Sequence, residues 1–224
     1  MDARTSSGGA NASQTSLDRR NVFAEIHRTR AWGDGESISG PGSTRERAAS
    51  FLPALIDLVQ SLEVSTLLDA PCGDFNWTEP LADAVPRYIG IDVVPALVAH
   101  CTQRFATPRR SFLCLDFVEQ ALPKADLVFC RDALVHLSDI DIMRALNNLR
   151  TSAAEYLIAT TFIGTRDHLD IATGDWRPLN LQHPPFSLPP PLRLIDEHCH
   201  HTGGIYADKR MGLWRLRDLP EFVV

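Results

Sequence analysis

The chain has 224 residues, 44% of them hydrophobic and 22% charged, with a formal net charge of −6. That length and balance suit one α/β domain with additions, and they supply ample material for a core. The acidic charge excludes a nucleic-acid binder built on a broadly basic surface, and no apolar run reaches the length of a membrane span.

Residues 1–20 are rich in Ser, Gly, Asn, Thr and charge, which predicts a disordered arm without the apolar stretch of a secretory signal. Residues 21–31 read as a short helix with Phe23 and Ile26 on one face. Residues 33–43 carry four glycines and Pro41, so they cannot be regular structure, and such a loop is a candidate lid. Ser43 or Thr44 can cap a helix running to about residue 61, with Glu46 at capping-box spacing from Ser43. Phe51, Leu52, Leu55, Ile56 and Val59 repeat along it at helical spacing. Residues 21–62 are therefore expected to hold helices and a Gly-rich lid, ahead of a core over 63–224.

From residue 64 the pattern alternates. Strands are expected at 66–70, 87–92, 111–115, 125–130 and 155–162, with helices at about 76–84, 95–104, 119–122 and 138–151 between them. Such alternation predicts an α/β fold, a doubly wound and mostly parallel sheet with helices on both faces. Residues 163–193 form an insertion rich in proline and lacking helical period. Strand-like segments near 192–196 and 211–217 are expected to pair antiparallel at the C-terminal edge.

Three of the expected strands end in an acid: Asp69, Asp92 and Asp116. In a sheet of this kind ligands bind beyond the carboxyl ends of the strands. A carboxylate at Asp92 can accept from both ribose hydroxyls of a nucleoside. Asp116 can accept from an adenine amino group, with Phe117 packed on the base. Asp69 precedes the turn Ala70-Pro71-Cys72-Gly73-Asp74, which has one glycine where a pyrophosphate-binding turn has three. This acidic turn repels a pyrophosphate and suits a cation, such as a sulfonium carrying an α-amino group.

The turn resembles the first motif of class I S-adenosylmethionine-dependent methyltransferases, in which D-x-G-x-G is usual, with Pro71 replacing the first glycine. Tyr88-Ile89-Gly90-Ile91-Asp92 resembles their second motif and Ala125-Asp126-Leu127-Val128-Phe129-Cys130 their fourth. Trp32-Gly33, Ser39-Gly40-Pro41-Gly42-Ser43, Cys130-Arg131-Asp132 and Gly174-Asp175-Trp176-Arg177 with Asn180-Leu181 resemble an uncharacterised bacterial subfamily. The resemblance implies a Rossmann-like methyltransferase fold and S-adenosylmethionine as cofactor. It would place Asp69 and Gly73 at the methionine end, Asp92 on the ribose, and Asp116 and Phe117 on the adenine, with Ala70, Pro71 and Val93 completing the binding set. Arg131 would lie near the methyl group or the methionine carboxylate. His136 is the candidate general base for a hydroxyl acceptor, and Asp132 is the alternative.

Trp32, Trp176, Arg177 and Asn180, with Phe186, are expected to line a pocket for a small molecule or glycan, with O-methylation as the chemistry. Glu197-His198-Cys199-His200-His201 has metal-ligand residue types but no ligand-pair spacing, so no metal is expected. Five cysteines, odd in number and without a C-x-x-C, indicate a reducing, cytoplasmic setting. No nucleic-acid or membrane partner is expected, and the oligomeric state stays open. Two other readings are an NAD(P)-dependent oxidoreductase and a non-catalytic S-adenosylmethionine-binding module.

Overall fold

The computed structural model describes residues 8–33, 35–200 and 202–224. Residues 1–7 of the expected arm lie outside these. The rest of that arm is helical, since α1 runs Gly8–Thr29 and the helix expected at 21–31 is its C-terminal part. The reason is tertiary. Arg19 is only 4% exposed and pairs with acids far away in sequence, which composition cannot reveal.

The helix expected up to residue 61 is two, α2 at Arg45–Ala49 and α3 at Leu52–Ser61. Pro53 in the first turn of α3 supplies no N–H, which suits a helix start and not an interior. Thr44 is the N-cap of α2, its hydroxyl accepting from the Arg47 N–H at 3.4 Å, so the Ser43–Glu46 capping box is not made.

The core follows in the expected order: β1 Thr66–Asp69, α4 Glu79–Asp83, β2 Arg87–Asp92, α5 Pro95–Phe105, β3 Arg110–Cys114, β4 Leu127–Cys130, α6 Asp139–Thr151, β5 Tyr156–Phe162, β6 Arg193–Asp196 and β7 Lys209–Arg215. The sheet order is β3-β2-β1-β4-β5-β7-β6. All pairings up to β5 are parallel, and β7 runs antiparallel to both β5 and β6. This is the doubly wound sheet with an antiparallel C-terminal edge. The helix expected at 119–122 does not form. The chain turns there about Asp116, whose carbonyl accepts from the Glu119 and Gln120 N–H groups.

Strands buried on both faces read as near-continuous apolar runs, and their alternate side chains feed two cores. Leu67, Leu127, Phe129 and Ile158 pack toward α3, α4 and α5. Leu68, Val128, Cys130 and Leu157 pack toward α6 and the insertion. The insertion carries no helix, yet Leu179, Leu181, Phe186 and Leu188 are buried in that second core. The Phe162 N–H donates to the Leu179 carbonyl at 2.8 Å, so the insertion bonds to the end of β5 beyond the last residue paired with β4. No helix among the described residues is long and apolar enough to cross a membrane.

Candidate functional site

A cavity of about 740 Å³ opens at the carboxyl ends of β1, β2 and β4. Parallel order brings these ends together: Asp69 lies opposite Gly90 in the register of β1 and β2, and opposite Phe129 on β4. Asp69, Pro71, Gly73, Asp92, Val93, Asp116, Phe117, Arg131, Asp132, His136, Trp32 and Trp176 all line the cavity, so most of the residues singled out in the sequence converge on one space.

Asp69 is 3% exposed, and the Tyr88 hydroxyl donates to its carboxylate at 2.5 Å. Burial moves its pKa from an ordinary 3.8 to about 8, against the opposing effect of the Tyr88 hydrogen bond. Asp92, also buried, accepts from the Val94 N–H at 2.9 Å and the Gly73 N–H at 3.2 Å. Burial raises its pKa to about 6, held back by those backbone donors. Two buried carboxylates that resist ionisation, side by side in one cavity, favour a cationic ligand.

A linkage follows. For Asp69 the folded state holds a proton between the unfolded pKa near 3.8 and the folded pKa of about 8. Its contribution to stability is full below that window and is lost as pH rises through it. A cation bound beside it favours the ionised form. Binding of a cationic ligand at pH 7 is therefore expected to release protons. Calorimetry in buffers of different ionisation enthalpy reads the release directly, and buffer-independent heats would remove Asp69 from the cation site.

Gly73 sits at φ 54°, in the left-handed region that favours glycine. A Cβ there would stand 2.5 Å from the Ser39 hydroxyl oxygen, so the turn and the 33–43 loop are in direct contact. Asp74 ties them together. Its carboxylate accepts from the Ser37 hydroxyl at 2.8 Å and the Ile38 N–H at 2.9 Å, and its own N–H donates to the Ser39 hydroxyl at 3.0 Å. Asp74 thus holds a loop instead of meeting a ligand's charge, and the loop expected as a lid is pinned as wall.

Several expected roles are corrected. Ala70 is fully buried and spends its N–H on the Phe129 carbonyl, outside the cavity lining. The Arg131 guanidinium lies 2.6 Å from Glu197, donates to the Gly42 carbonyl at 3.1 Å, and stacks 4.6 Å above the Phe51 ring. It ties β4 to β6 and the glycine loop instead of standing free for a methionine carboxylate. Asp132 pairs with Lys209 at 2.7 Å. Burial pushes its carboxyl up, but Lys209 and Arg131 outweigh that and hold it well below the usual range, so it is a poor base. Arg177 is buried but turned away from the cavity, donating to the Leu137 carbonyl at 2.8 Å and to Asp139 at 2.7 Å. Asn180 caps the Gln182 N–H at 3.0 Å and does not line the cavity, and Phe186 belongs to the core.

His136 fares differently. Its Nδ1 lies 2.8 Å from the Asp175 carbonyl, which can only accept, so in the neutral ring Nδ1 carries the hydrogen and Nε2 keeps its lone pair. Burial lowers its pKa despite that hydrogen bond, keeping the ring neutral at pH 7. Trp32 stacks on it at 4.1 Å and 28°.

Sequence reasoning missed the opposite wall. Phe162, Trp176 and Tyr206 form a mutual edge-to-face cluster with centroids 5.1 to 6.3 Å apart. Only Trp176 carried a sequence signal; Tyr206 reaches the site through the β6–β7 connection. Glu197 and Lys209, which complete the charged floor, also come from this C-terminal part. Among the described residues no group of His, Cys, Asp or Glu is arranged to hold a metal.

Residues 67–155 match a family model described as a methyltransferase domain. Among solved structures the chain is similar to the N-methyltransferase NodS from Bradyrhizobium japonicum WM9, at 18% identity over 74% of this chain and 96% of that one, with a TM-score of 0.51. It is similar to the magnesium protoporphyrin IX methyltransferase ChlM from Synechocystis PCC 6803 with bound SAH, at 18% identity over 67% and 73%, with a TM-score of 0.50. The methyltransferase domain of bacterial CtHen1 aligns at 16% identity over 50% of this chain and 64% of its own length, with a TM-score of 0.44. No curated protein sequence matches the chain.

Proposed function

We propose that this chain, whose residues 67–155 carry a methyltransferase domain and whose sheet is that of the class I S-adenosylmethionine-dependent methyltransferases, methylates a small molecule or glycan at oxygen. The observation that carries the reading is the pair of buried carboxylates, Asp69 and Asp92, flanking Gly73 in one cavity. They fit a ligand with a ribose, an α-amino group and a sulfonium. Asp92 would suit the ribose of either cofactor, but Asp69 and a turn with one glycine disfavour a nicotinamide dinucleotide, whose pyrophosphate needs bare backbone N–H groups there.

When bound, S-adenosylmethionine supplies an electrophilic methyl group on sulfur. The protein's part is alignment, desolvation and proton removal. Asp92 would accept from the ribose hydroxyls, Asp69 would face the amino end, and Phe117 with Leu97 would bracket the adenine. On the far side, Trp32, Phe162, Trp176 and Tyr206 give an acceptor apolar faces to lie against, which suits an aromatic ring or the C–H face of a sugar. His136 Nε2 would take the proton of the acceptor hydroxyl. A cytoplasmic setting is the reading that five cysteines, odd in number and without a C-x-x-C, support.

Thermal melts test the cofactor. S-adenosylmethionine or S-adenosylhomocysteine at about 100 times its dissociation constant is expected to stabilise the protein by roughly 2.7 kcal/mol, with no shift from NAD(H). A shift with NAD(H) alone would make the chain an oxidoreductase.

A further inference from the structure

Among the described residues, the arginines and lysines that line the cavity are Arg19, Arg47, Arg131 and Lys209. Arg19 lies 2.8 Å from Asp141, Arg131 2.6 Å from Glu197 and Lys209 2.7 Å from Asp132. Lys209 also lies 3.1 Å from Glu197 and Arg131 3.4 Å from Asp132, so these two cations and two acids offset one another. Arg47 is different. Its N–H donates to the Thr44 hydroxyl and its carbonyl accepts from the Ser50 hydroxyl at 2.8 Å. Its guanidinium meets no acceptor and no carboxylate among the described residues. One half-buried positive charge in the cavity wall is thus left unmatched by the protein.

Its place is the acceptor end. Arg45 and Arg47 are two residues apart on α2, so they leave the helix on different sides. Arg45 turns to the segment after β1, donating to the Asn76 carbonyl at 3.0 Å. Arg47 belongs to the side that meets the β6–β7 connection. The Ser50 hydroxyl, just past α2, donates to the Glu197 carbonyl at 3.0 Å and so seats the helix on that connection. Burial raises the pKa of the Cys199 thiol there, and Lys209 and Arg47 both act against the rise, so the charge of Arg47 is felt at that wall. The same connection brings Tyr206 to the aromatic cluster with Phe162 and Trp176. The cavity therefore has carboxylates, Asp69 and Asp92, at its cofactor end, and aromatic faces with an unspent cation at the other.

We propose that the methyl acceptor is an acid: a hydroxyl compound with a ring body, whose carboxylate pairs with Arg47 while its ring lies against the aromatic wall. A guanidinium is planar and always charged, and its fork of N–H donors matches a carboxylate with two parallel hydrogen bonds. An uncharged acceptor would cover Arg47 and leave it unpaired, and a cationic one would be repelled, so the residue selects as well as binds. The assignment deepens the methyltransferase reading and rests on it.

The test uses the full-length protein saturated with S-adenosylhomocysteine, whose own binding is first measured by calorimetry. Two fluorescent dyes follow. Anilinonaphthalene sulfonate has aromatic rings and one anionic group; N-phenylnaphthylamine is the same body without the charge. Both are expected to bind the saturated protein. Arg47→Gln is expected to weaken the sulfonate about tenfold, the scale of one charge-assisted hydrogen bond, and to leave the neutral dye unchanged. Arg47→Lys, which keeps the charge and loses the fork, should recover part of the loss. In the wild type, added salt should weaken the sulfonate and spare the neutral dye, an arm that needs no variant. A sulfonate that fails to bind, is displaced by S-adenosylhomocysteine, ignores salt, or binds folded Arg47→Gln as tightly as wild type would overturn the proposal. So would equal weakening of both dyes, which marks a change of shape. If Arg47→Gln instead loses S-adenosylhomocysteine, Arg47 serves the cofactor's carboxylate, and the acceptor assignment falls while the cofactor reading stands. Failure of the wild type to bind S-adenosylhomocysteine would overturn both.

Discussion

Asp92→Ala is expected to weaken binding of S-adenosylhomocysteine by about 10²–10³-fold, the loss of two hydrogen bonds from ribose hydroxyls to a charged acceptor at roughly 1.5–3 kcal/mol each, discounted for partial hydration. The same carboxylate also accepts from the Gly73 and Val94 N–H groups. Alanine therefore strips two backbone donors of their partner and lowers stability as well. Asp92→Asn separates the two effects. It keeps one acceptor oxygen and the side-chain shape, so the unliganded protein should melt closer to wild type while binding stays impaired. Calorimetry and melting on both variants give the answer. An asparagine variant that binds at wild-type strength would show that Asp92 organises the turn and leaves the ribose to other groups.

His136→Gln is expected to lower kcat by about 10²–10⁴-fold with the acceptor that a screen identifies, while S-adenosylhomocysteine binding changes little. The reason is the placement of the two ring nitrogens. Nδ1 is committed to the Asp175 carbonyl, and Nε2 is left as the basic site. The pH profile carries the sign. Protonation removes the lone pair, so kcat should fall with unit slope as pH drops through the His136 pKa. Burial places that limb below the ordinary 6.5. The variant should lose the limb along with the rate. Full activity with an unchanged acid limb would dismiss His136 as base and leave the cofactor site standing.

The acids on the cavity rim were legible in the sequence, and for a local reason. A parallel strand buried on both faces is an apolar run, and the acid that ends it is conspicuous, so Asp69, Asp92 and Asp116 could be placed on the cavity rim from pattern alone. Asp139–Thr151 was legible as α6, expected at 138–151, and the structure adds Ser138 as its cap, accepting from the Asp141 N–H. What stayed hidden depends on distant partners. Arg19 looked like one charge in a polar arm because Asp116 and Asp141 are about a hundred residues away. Arg177 and Arg131 looked available for ligands, and only three dimensions show Asp139 and Glu197 occupying them. Tyr206 and Lys209 sit in a stretch without periodicity, and the antiparallel order of β6 and β7 is what swings them to the cavity. Residue types announced the ligand; pair partners decided which of those residues are left to touch it.

The order of strands has a consequence for how the chain is assembled as it emerges from the ribosome. β7 lies between β5 and β6, and β6 pairs with β7 alone. Arg193–Asp196 is thus synthesised before the strand that must flank it, and the outer edge of β5 stays bare until Lys209–Arg215 arrives. Arg131 and Asp132 wait equally long, since Glu197 and Lys209 are their buried counter-charges. Nearly the whole polypeptide must be made before this cluster of charges is complete. A chain broken off ahead of residue 209 would carry an open sheet edge beside unmatched charge, and in that form it is a substrate for chaperones and proteases more than a catalyst.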